Sequence, residues 1–129
     1  MKINLGAGNL IQEGYLNHDL VPHRKEIDYV FDLNKFPYPL LDNSCEEVKM
    51  WDVLEHLDDV IAVMNELWRV IKPDGKLDLK LCGWKNESYW IDVTHKRAFH
   101  QKSMDYFDPD TEIGKEYSYY TTKKWKSLS

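Results

Sequence analysis

Three strand-like runs crowd the first 32 residues: Lys2 to Leu5, Tyr15 to Leu20 and Asp28 to Asp32. Each is short, and Asp28-Tyr29-Val30-Phe31-Asp32 in particular is rich in β-branched and aromatic residues. The links between them are six residues, Asn9 to Gly14, and seven, Val21 to Ile27. Parallel neighbours usually need a crossover of about a dozen residues or more. A parallel sheet built from these runs therefore has single turns or bare loops for crossovers, and one thinly covered face. A partner subunit or the aromatic C-terminal part is the expected cover, which makes a homodimer reasonable.

The remaining signals favour that sheet. Glu47 to Trp51 reads as a fourth strand, after a loop broken by Pro37 and Pro39. Residues 59–72 carry Val60, Met64, Leu67, Trp68 and Ile71 on one face of a 3.6-residue period. This predicts a core-facing helix, capped by Asp58 or Asp59 and stopped by Pro73-Asp74-Gly75. Lys76 to Cys82 alternates, with Leu77, Leu79 and Leu81 on one face, as a fifth strand. Strands interleaved with a helix give an α/β fold with a parallel sheet. After Gly83 the signals weaken into a long, aromatic-rich, partly helical excursion. Residues 103–107 read as a helical turn capped by Ser103, and residues 116–128 have strand composition. The 129 residues fit one domain, with 1–83 as its core and 84–129 as the substrate side.

A formal net charge of −5 argues against nucleic acid as a partner. The one basic cluster, Lys123-Lys124-Trp125-Lys126, reads first as a solvated tail or edge strand. Cys45 and Cys82, far apart and without a secretory signal, read as reduced cytosolic thiols, and no apolar run is long enough to cross a membrane. The expected location is cytoplasmic.

The chemistry starts at "INLGAGNLIQEGYLNHDL", residues 3–20. A strand, a glycine turn and an acid at the end of the next strand is how many nucleotide sites begin. Only ten residues separate Gly8 from Asp19, however, and Asn9 to Gly14 leaves almost no helix N-terminus to hold a pyrophosphate. A nicotinamide dinucleotide enzyme is correspondingly disfavoured.

Four motifs in order, "INLGAG", "NHDL", "FDLNKFPYPLLDNSCEEVKMWDVLEHL" and "LWRVIKPDGKLDLKL", resemble the class I S-adenosylmethionine-dependent methyltransferases, specifically the methyltransferase type 11 group. The likeness runs from residue 3 to about residue 82. It implies a Rossmann-like, mostly parallel sheet with the cofactor across the carboxyl ends of the first strands. The resemblance places Gly6, Ala7 and Gly8 at the turn passing the methionine part of S-adenosylmethionine. Asp19 is placed on the ribose hydroxyls and Leu20 against the adenine. Asp32 faces the adenine amino group and Leu33 offers its backbone N–H to the ring. Trp51 and Asp52 line the methionyl side. It implies methyl transfer to an O or N acceptor, with S-adenosylhomocysteine as product. The chain departs from the family in lacking a helix in each of the first two crossovers, a cap before the first strand, and a complete sixth and seventh strand. It reads as a compact, truncated member, and the alternative function is a degenerate module that binds cofactor or a partner without catalysis.

His56, in "VLEHL", and His95, in "DVTHKRAFH", are the candidate catalytic residues. An imidazole titrates near working pH and suits a general base. His56 also reads as a structural histidine at the helix start, and Glu55 has the same ambiguity. His95 and Arg97, with Trp84, Tyr89, Trp90, Tyr106 and Phe107, are the candidate walls of a substrate pocket. The spacing of Asp92, His95 and His100 is not that of a metal-binding pair, and no metal site is expected.

Overall fold

The computed structural model describes residues 1–128. Strands β1 (Lys2–Leu5), β2 (Leu16–Asp19), β3 (Ile27–Val30), β4 (Cys45–Trp51) and β5 (Ile71–Lys80) form one sheet in the order β3-β2-β1-β4-β5. Every neighbouring pair is parallel. The α/β, Rossmann-like architecture is as expected, and both early crossovers are loops without a helix.

The two faces of the sheet differ sharply. Across β1, β4 and β5 the rows Ile3–Val48–Leu77 and Leu5–Met50–Leu79 lie on one face. Ile3, Leu5, Val48 and Met50 are completely buried there. Helix α1 (Val60–Val70) lays Val63, Met64, Leu67 and Val70 into the same core. Its first turn is capped by Asp59, whose carboxylate accepts from the Ala62 N–H at 3.0 Å. The intervening rows, Lys2–Glu47–Lys76, Asn4–Lys49–Asp78 and Trp51–Lys80, form the opposite face. Parallel strands covered on both faces read as unbroken apolar runs. The alternation in "KINL" and "EEVKMW" instead makes one face polar, so the absent crossover helices leave little apolar surface bare.

Residues 6–15 lie across that polar face and are held by side chains. Asn4 and Asn17 are partners across β1 and β2, and both are buried. Asn4 Nδ2 donates to the Leu10 carbonyl at 2.9 Å and to Asn17 Oδ1 at 3.0 Å. Asn17 Oδ1 also accepts from the Gln12 N–H, and its amide donates to the Gln12 and Tyr15 carbonyls. Lys49 Nζ reaches Gln12 Oε1 at 2.9 Å and lies 4.0 Å from the Trp51 ring centre. Backbone groups that a helix would satisfy internally are satisfied here by the two asparagine amides, while the Lys49 ammonium holds the Gln12 side chain.

Five expectations need correction, three of them in and beside β5. β5 begins at Ile71, not Lys76: Ile71 pairs with Cys45 and Lys76 with Glu47, so residues 72–75 bulge out of the strand. Pro73 has no N–H for a ladder, and a proline inside a strand is accommodated at such a bulge. The helix consequently ends at Val70, and Ile71 packs from the sheet. Trp68 is 44% exposed and is not a core residue; it lies beside Lys123, whose Nζ is 4.5 Å from its ring centre. Its position next to Leu67 turns it to the rim of an open groove of about 1220 Å³ along β5.

The C-terminal part holds helices α2 (Glu87–Ile91) and α3 (Glu112–Glu116) and 3₁₀ turns at Ser103–Phe107 and Ser118–Tyr120. Residues 116–128 form no strand. Their aromatics stack instead, Tyr106 on Tyr120 at 5.3 Å between ring centres, and the Trp125 N–H donates to the Phe107 carbonyl. Ser103 is not the cap of its turn; Lys102 holds that position, and Ser103 Oγ accepts from the His100 N–H. Lys123, Lys124 and Lys126 meet Trp68, the Ser118 carbonyl and Asp110. Among the described residues no helix is long and apolar enough to cross a membrane.

Replacing Asn17 with Ala removes four hydrogen bonds and takes the partner from the part-buried Gln12 N–H and from one amide hydrogen of the buried Asn4. The expected loss of stability is about 2–4 kcal/mol, summing the ~1–3 kcal/mol cost of each unsatisfied buried group over one or two of them. Urea unfolding of the two proteins measures it.

Candidate functional site

The strand order reverses at β1, whose neighbours are β2 and β4. Open α/β sheets bind ligands outside the carboxyl ends of the strands at such a point. Gly6 and Gly8 stand there in the left-handed region, with φ of +66° and +54°. A Cβ on Gly6 would lie 2.4 Å from Val53 Cγ2, so both its backbone and its surroundings require glycine.

Two β2 side chains fix this turn. The Gly6 N–H donates to His18 Nδ1 at 3.1 Å, so the ring proton is on Nε2, which donates to the Phe31 carbonyl at 2.8 Å. His18 thereby ties the ends of β1, β2 and β3 together as a neutral imidazole, and burial pushes its pKa down. The Gly8 N–H donates to Asp19 Oδ2 at 2.8 Å, the Leu20 N–H to Asp19 Oδ1 at 2.8 Å, and His23 Nε2 lies 2.9 Å from Oδ2. Burial alone would raise the Asp19 carboxyl, but the bonds from His23, Leu20 and Gly8 outweigh it and hold the group below its ordinary range. His18 was not singled out in the sequence, although an imidazole in phase with the core-facing Leu16 of "YLNHDL" is its visible sign.

Beside this turn lies a cavity of about 130 Å³, lined by Gly6, Ala7, Leu10, Gln12, Lys49 and Trp51 among others. Trp51 Nε1 is buried with no partner, a donor left over on a residue that lines the cavity. Sites that enclose drug-sized ligands run to about 300–1,000 Å³, so this cavity takes only part of such a molecule. Leu20, 58% exposed, lies just past Asp19 at the end of β2.

Asp32 Oδ1 accepts from the Asn34 N–H at 2.9 Å and closes a local turn. Leu33 puts its side chain in the core, and its carbonyl accepts from the Tyr38 hydroxyl. Asp52 has a φ of +57°, uncommon for a residue other than glycine; its N–H donates to the Lys80 carbonyl, and its carboxylate is 3.6 Å from Lys80 Nζ.

Val53, packed on Gly6, leads into a 3₁₀ turn, Leu54–His56. That turn meets residues 92–97. The Lys96 N–H donates to the Glu55 carbonyl, and the Arg97 guanidinium is occupied by the carbonyls of Leu54, Leu57 and Asp58. Arg97 is therefore an anchor of this segment. The His56 and His95 ring centres are 4.5 Å apart, and Glu55 lies beside them, fully buried. His100 stays outside the group, its Nδ1 accepting from the Lys102 N–H. The candidate wall aromatics diverge: Phe107 is core, whereas Trp84 and Trp90 are 47% and 71% exposed.

The sequence profile of the family described as "Methyltransferase domain" matches residues 15–79, half of the chain. The chain belongs to the methyltransferase domain family. Gly6 to Gly8 lie just before the matched region of this methyltransferase domain. A putative methyltransferase from Bacillus halodurans aligns with a TM-score of 0.59 and 16% identity over 90% of this chain and 61% of its own. The methyltransferase CalH, solved with SAH, aligns at 0.56 and 14% identity over 74% of this chain and 35% of its own. The YcgJ protein from Bacillus subtilis aligns at 0.55 and 18% identity, over 75% and 54%. These likenesses concern the fold, and the chain spans from about a third to three-fifths of each of those proteins. No curated protein sequence matches the chain.

Because the folded-state pKa of Asp19 lies below its unfolded value, its contribution to stability is present above pH ~4 and disappears as pH falls through the folded value. Wild type should be more stable than Asp19→Asn at neutral pH. The gap, read by urea unfolding along a pH series, should close on acidification.

Proposed function

We propose that this domain binds S-adenosylmethionine at the β1–β2 turn and transfers its methyl group to an O or N acceptor. The observation that carries the reading is the ionised Asp19 at the carboxyl end of β2, locked to the Gly8 N–H at the switch point of a methyltransferase-family sheet. When bound, the cofactor supplies an electrophilic methyl on a sulfonium sulfur.

The residues present fit such a ligand. Asp19 Oδ1 accepts one protein hydrogen bond and has a lone pair to spare for a ribose hydroxyl. Gly6, Ala7 and Gly8 bring backbone close to the methionine part. The unpartnered Trp51 Nε1–H suits a carboxylate acceptor on that side, with Asp52 following it. Leu20 offers an exposed apolar surface for the adenine, and Asp32 and Leu33 follow shortly after the end of β3. His56 and His95 are the groups able to take a proton from an acceptor. Much of the rate advantage in a transfer of this type comes from positioning, which supplies about 7–11 kcal/mol in favourable cases.

One observation favours the rival reading, a module that binds without catalysis: the N–H groups of Gly6 and Gly8 are already engaged by His18 and Asp19. A turn whose donors are satisfied holds its shape without ligand, and the open, shortened crossovers exclude water poorly.

Titration calorimetry with S-adenosylhomocysteine separates these readings from none at all. Wild type should bind in the micromolar range. Asp19→Asn should bind about 10–100-fold more weakly, the equivalent of ~1.5–3 kcal/mol for hydrogen bonds to a charged group. No heat at millimolar ligand would contradict cofactor binding. Binding without methyl transfer to any acceptor class would favour the rival module.

A further inference from the structure

Glu55 and His56 meet His95, which comes from a separate segment of the chain. Glu55 is fully buried, and neither of its carboxylate oxygens has a hydrogen-bond partner. An isolated buried carboxylate is costly unless it is paired, protonated or bound to a cation. The nearest imidazole nitrogen, His95 Nε2, is 3.9 Å from Glu55 Oε1, beyond hydrogen-bond reach.

Around it, two imidazoles present acceptor atoms. His95 Nδ1 lies 3.2 Å from the Tyr89 carbonyl, which can only accept, so Nδ1 carries a proton and, in the neutral ring, Nε2 keeps its lone pair. That Nε2 is 3.9 Å from Glu55 Oε1, too far for a hydrogen bond and acceptor against acceptor. The same elimination holds for His56. The Thr94 hydroxyl donates to Asp92 Oδ1 at 2.6 Å, so at 2.8 Å from His56 Nδ1 it must accept, and His56 also keeps its lone pair on Nε2. One ligand-type atom each from Glu55, His56 and His95 lies within 4.8 Å of the others. Asp92 Oδ2, 3.6 Å from His95 Nε2, stands on the solvent side.

We propose that Glu55, His56 and His95 hold a divalent first-row transition-metal ion, with Asp92 or an exogenous oxygen completing its coordination. A cation resolves the juxtaposition of three unshared acceptors. Two imidazoles and a carboxylate with an open position is a donor set used for zinc and for iron(II). The outer hydrogen bonds to Thr94–Asp92 and to the Tyr89 carbonyl are those that orient metal-binding imidazoles and fix their tautomers. The site stands on the turn that follows Val53, and Val53 packs on Gly6, so the ion lies next to the proposed cofactor end of the sheet. A hydroxyl or water ligated there would lose its proton more readily, a task otherwise left to a free imidazole. The spacing of His95 and His100 alone hides the site, because its ligands come from two segments.

The test uses the full chain freed of metal by a chelator that is then removed, titrated with Zn²⁺ by calorimetry and with Co²⁺ by visible absorption. One equivalent should bind at micromolar or lower concentration, with the intensified Co²⁺ spectrum of a low-coordinate nitrogen-ligated site. Glu55→Gln, nearly isosteric, and His95→Ala should each weaken binding by at least about 100-fold, and Thr94→Val by about 10–100-fold as an outer-shell change. His100→Ala should leave it unchanged. If His95→Ala does not fold, His56→Gln reads the same claim. No binding below millimolar metal, or equal binding by wild type and Glu55→Gln, overturns the proposal. Neither readout needs cofactor or acceptor, so failure to bind S-adenosylhomocysteine would leave this result standing, and the reverse also holds.

Discussion

The paired amides of Asn4 and Asn17 are what the rest of the molecule depends on. A parallel sheet normally gains its second cover from crossover helices, and its short connections are the first thing to become impossible when those helices are absent. Here a polar row crosses the bare face, and two buried amides at adjacent positions of β1 and β2 take over the hydrogen bonding of the loop between them. The glycine turn, the cavity beside Trp51 and the approach to Asp19 all lie on or next to that loop. A rigid turn is thus obtained with six link residues in place of a helical crossover.

Rigidity at the turn has a second source. His18 and Asp19, consecutive in β2, reach opposite ways and each captures one glycine N–H. The neutral imidazole and the ionised carboxylate are held in those states by burial on one side and by three donors on the other. A ligand arriving here meets a shape already set, and little ordering remains to oppose binding. The same economy applies to the Glu55–His56–His95 group, where outer hydrogen bonds fix both imidazoles before any ion is present.

Much of this was legible in the sequence. β1 to β4 and α1 follow from alternation and period, because those elements are decided by which neighbours bury which face. The bare crossovers follow from counting residues. The polar face is written in "KINL" and "EEVKMW", where charged and amide residues interrupt what a doubly covered strand would leave apolar. Trp68 shows the limit of period alone: it falls on the apolar stripe, yet the groove beside β5 leaves its large ring half in solvent. The tyrosines of the C-terminal part have strand composition, but no sheet edge takes them up, and they stack on one another. Asp32 matches a family acid by position, while its side chain closes the turn at Asn34, a local choice that competes with any ligand. The acceptor cluster was least visible, since Glu55 and His95 meet through the Thr94, Lys96 and Arg97 contacts that fold residues 92–97 onto the 54–58 turn.

The central claim is that a helix-free loop is held rigid by buried side chains, ready for a ligand at its glycine turn. Native-state amide hydrogen exchange measured by NMR on the unliganded chain tests it most directly. The account predicts that the Gly6, Gly8 and Gln12 amides, bonded to His18, Asp19 and Asn17, exchange as slowly as those of β1 and β4. Exchange of these three amides at the rate of an open surface loop, with β1 and β4 still protected, would contradict it.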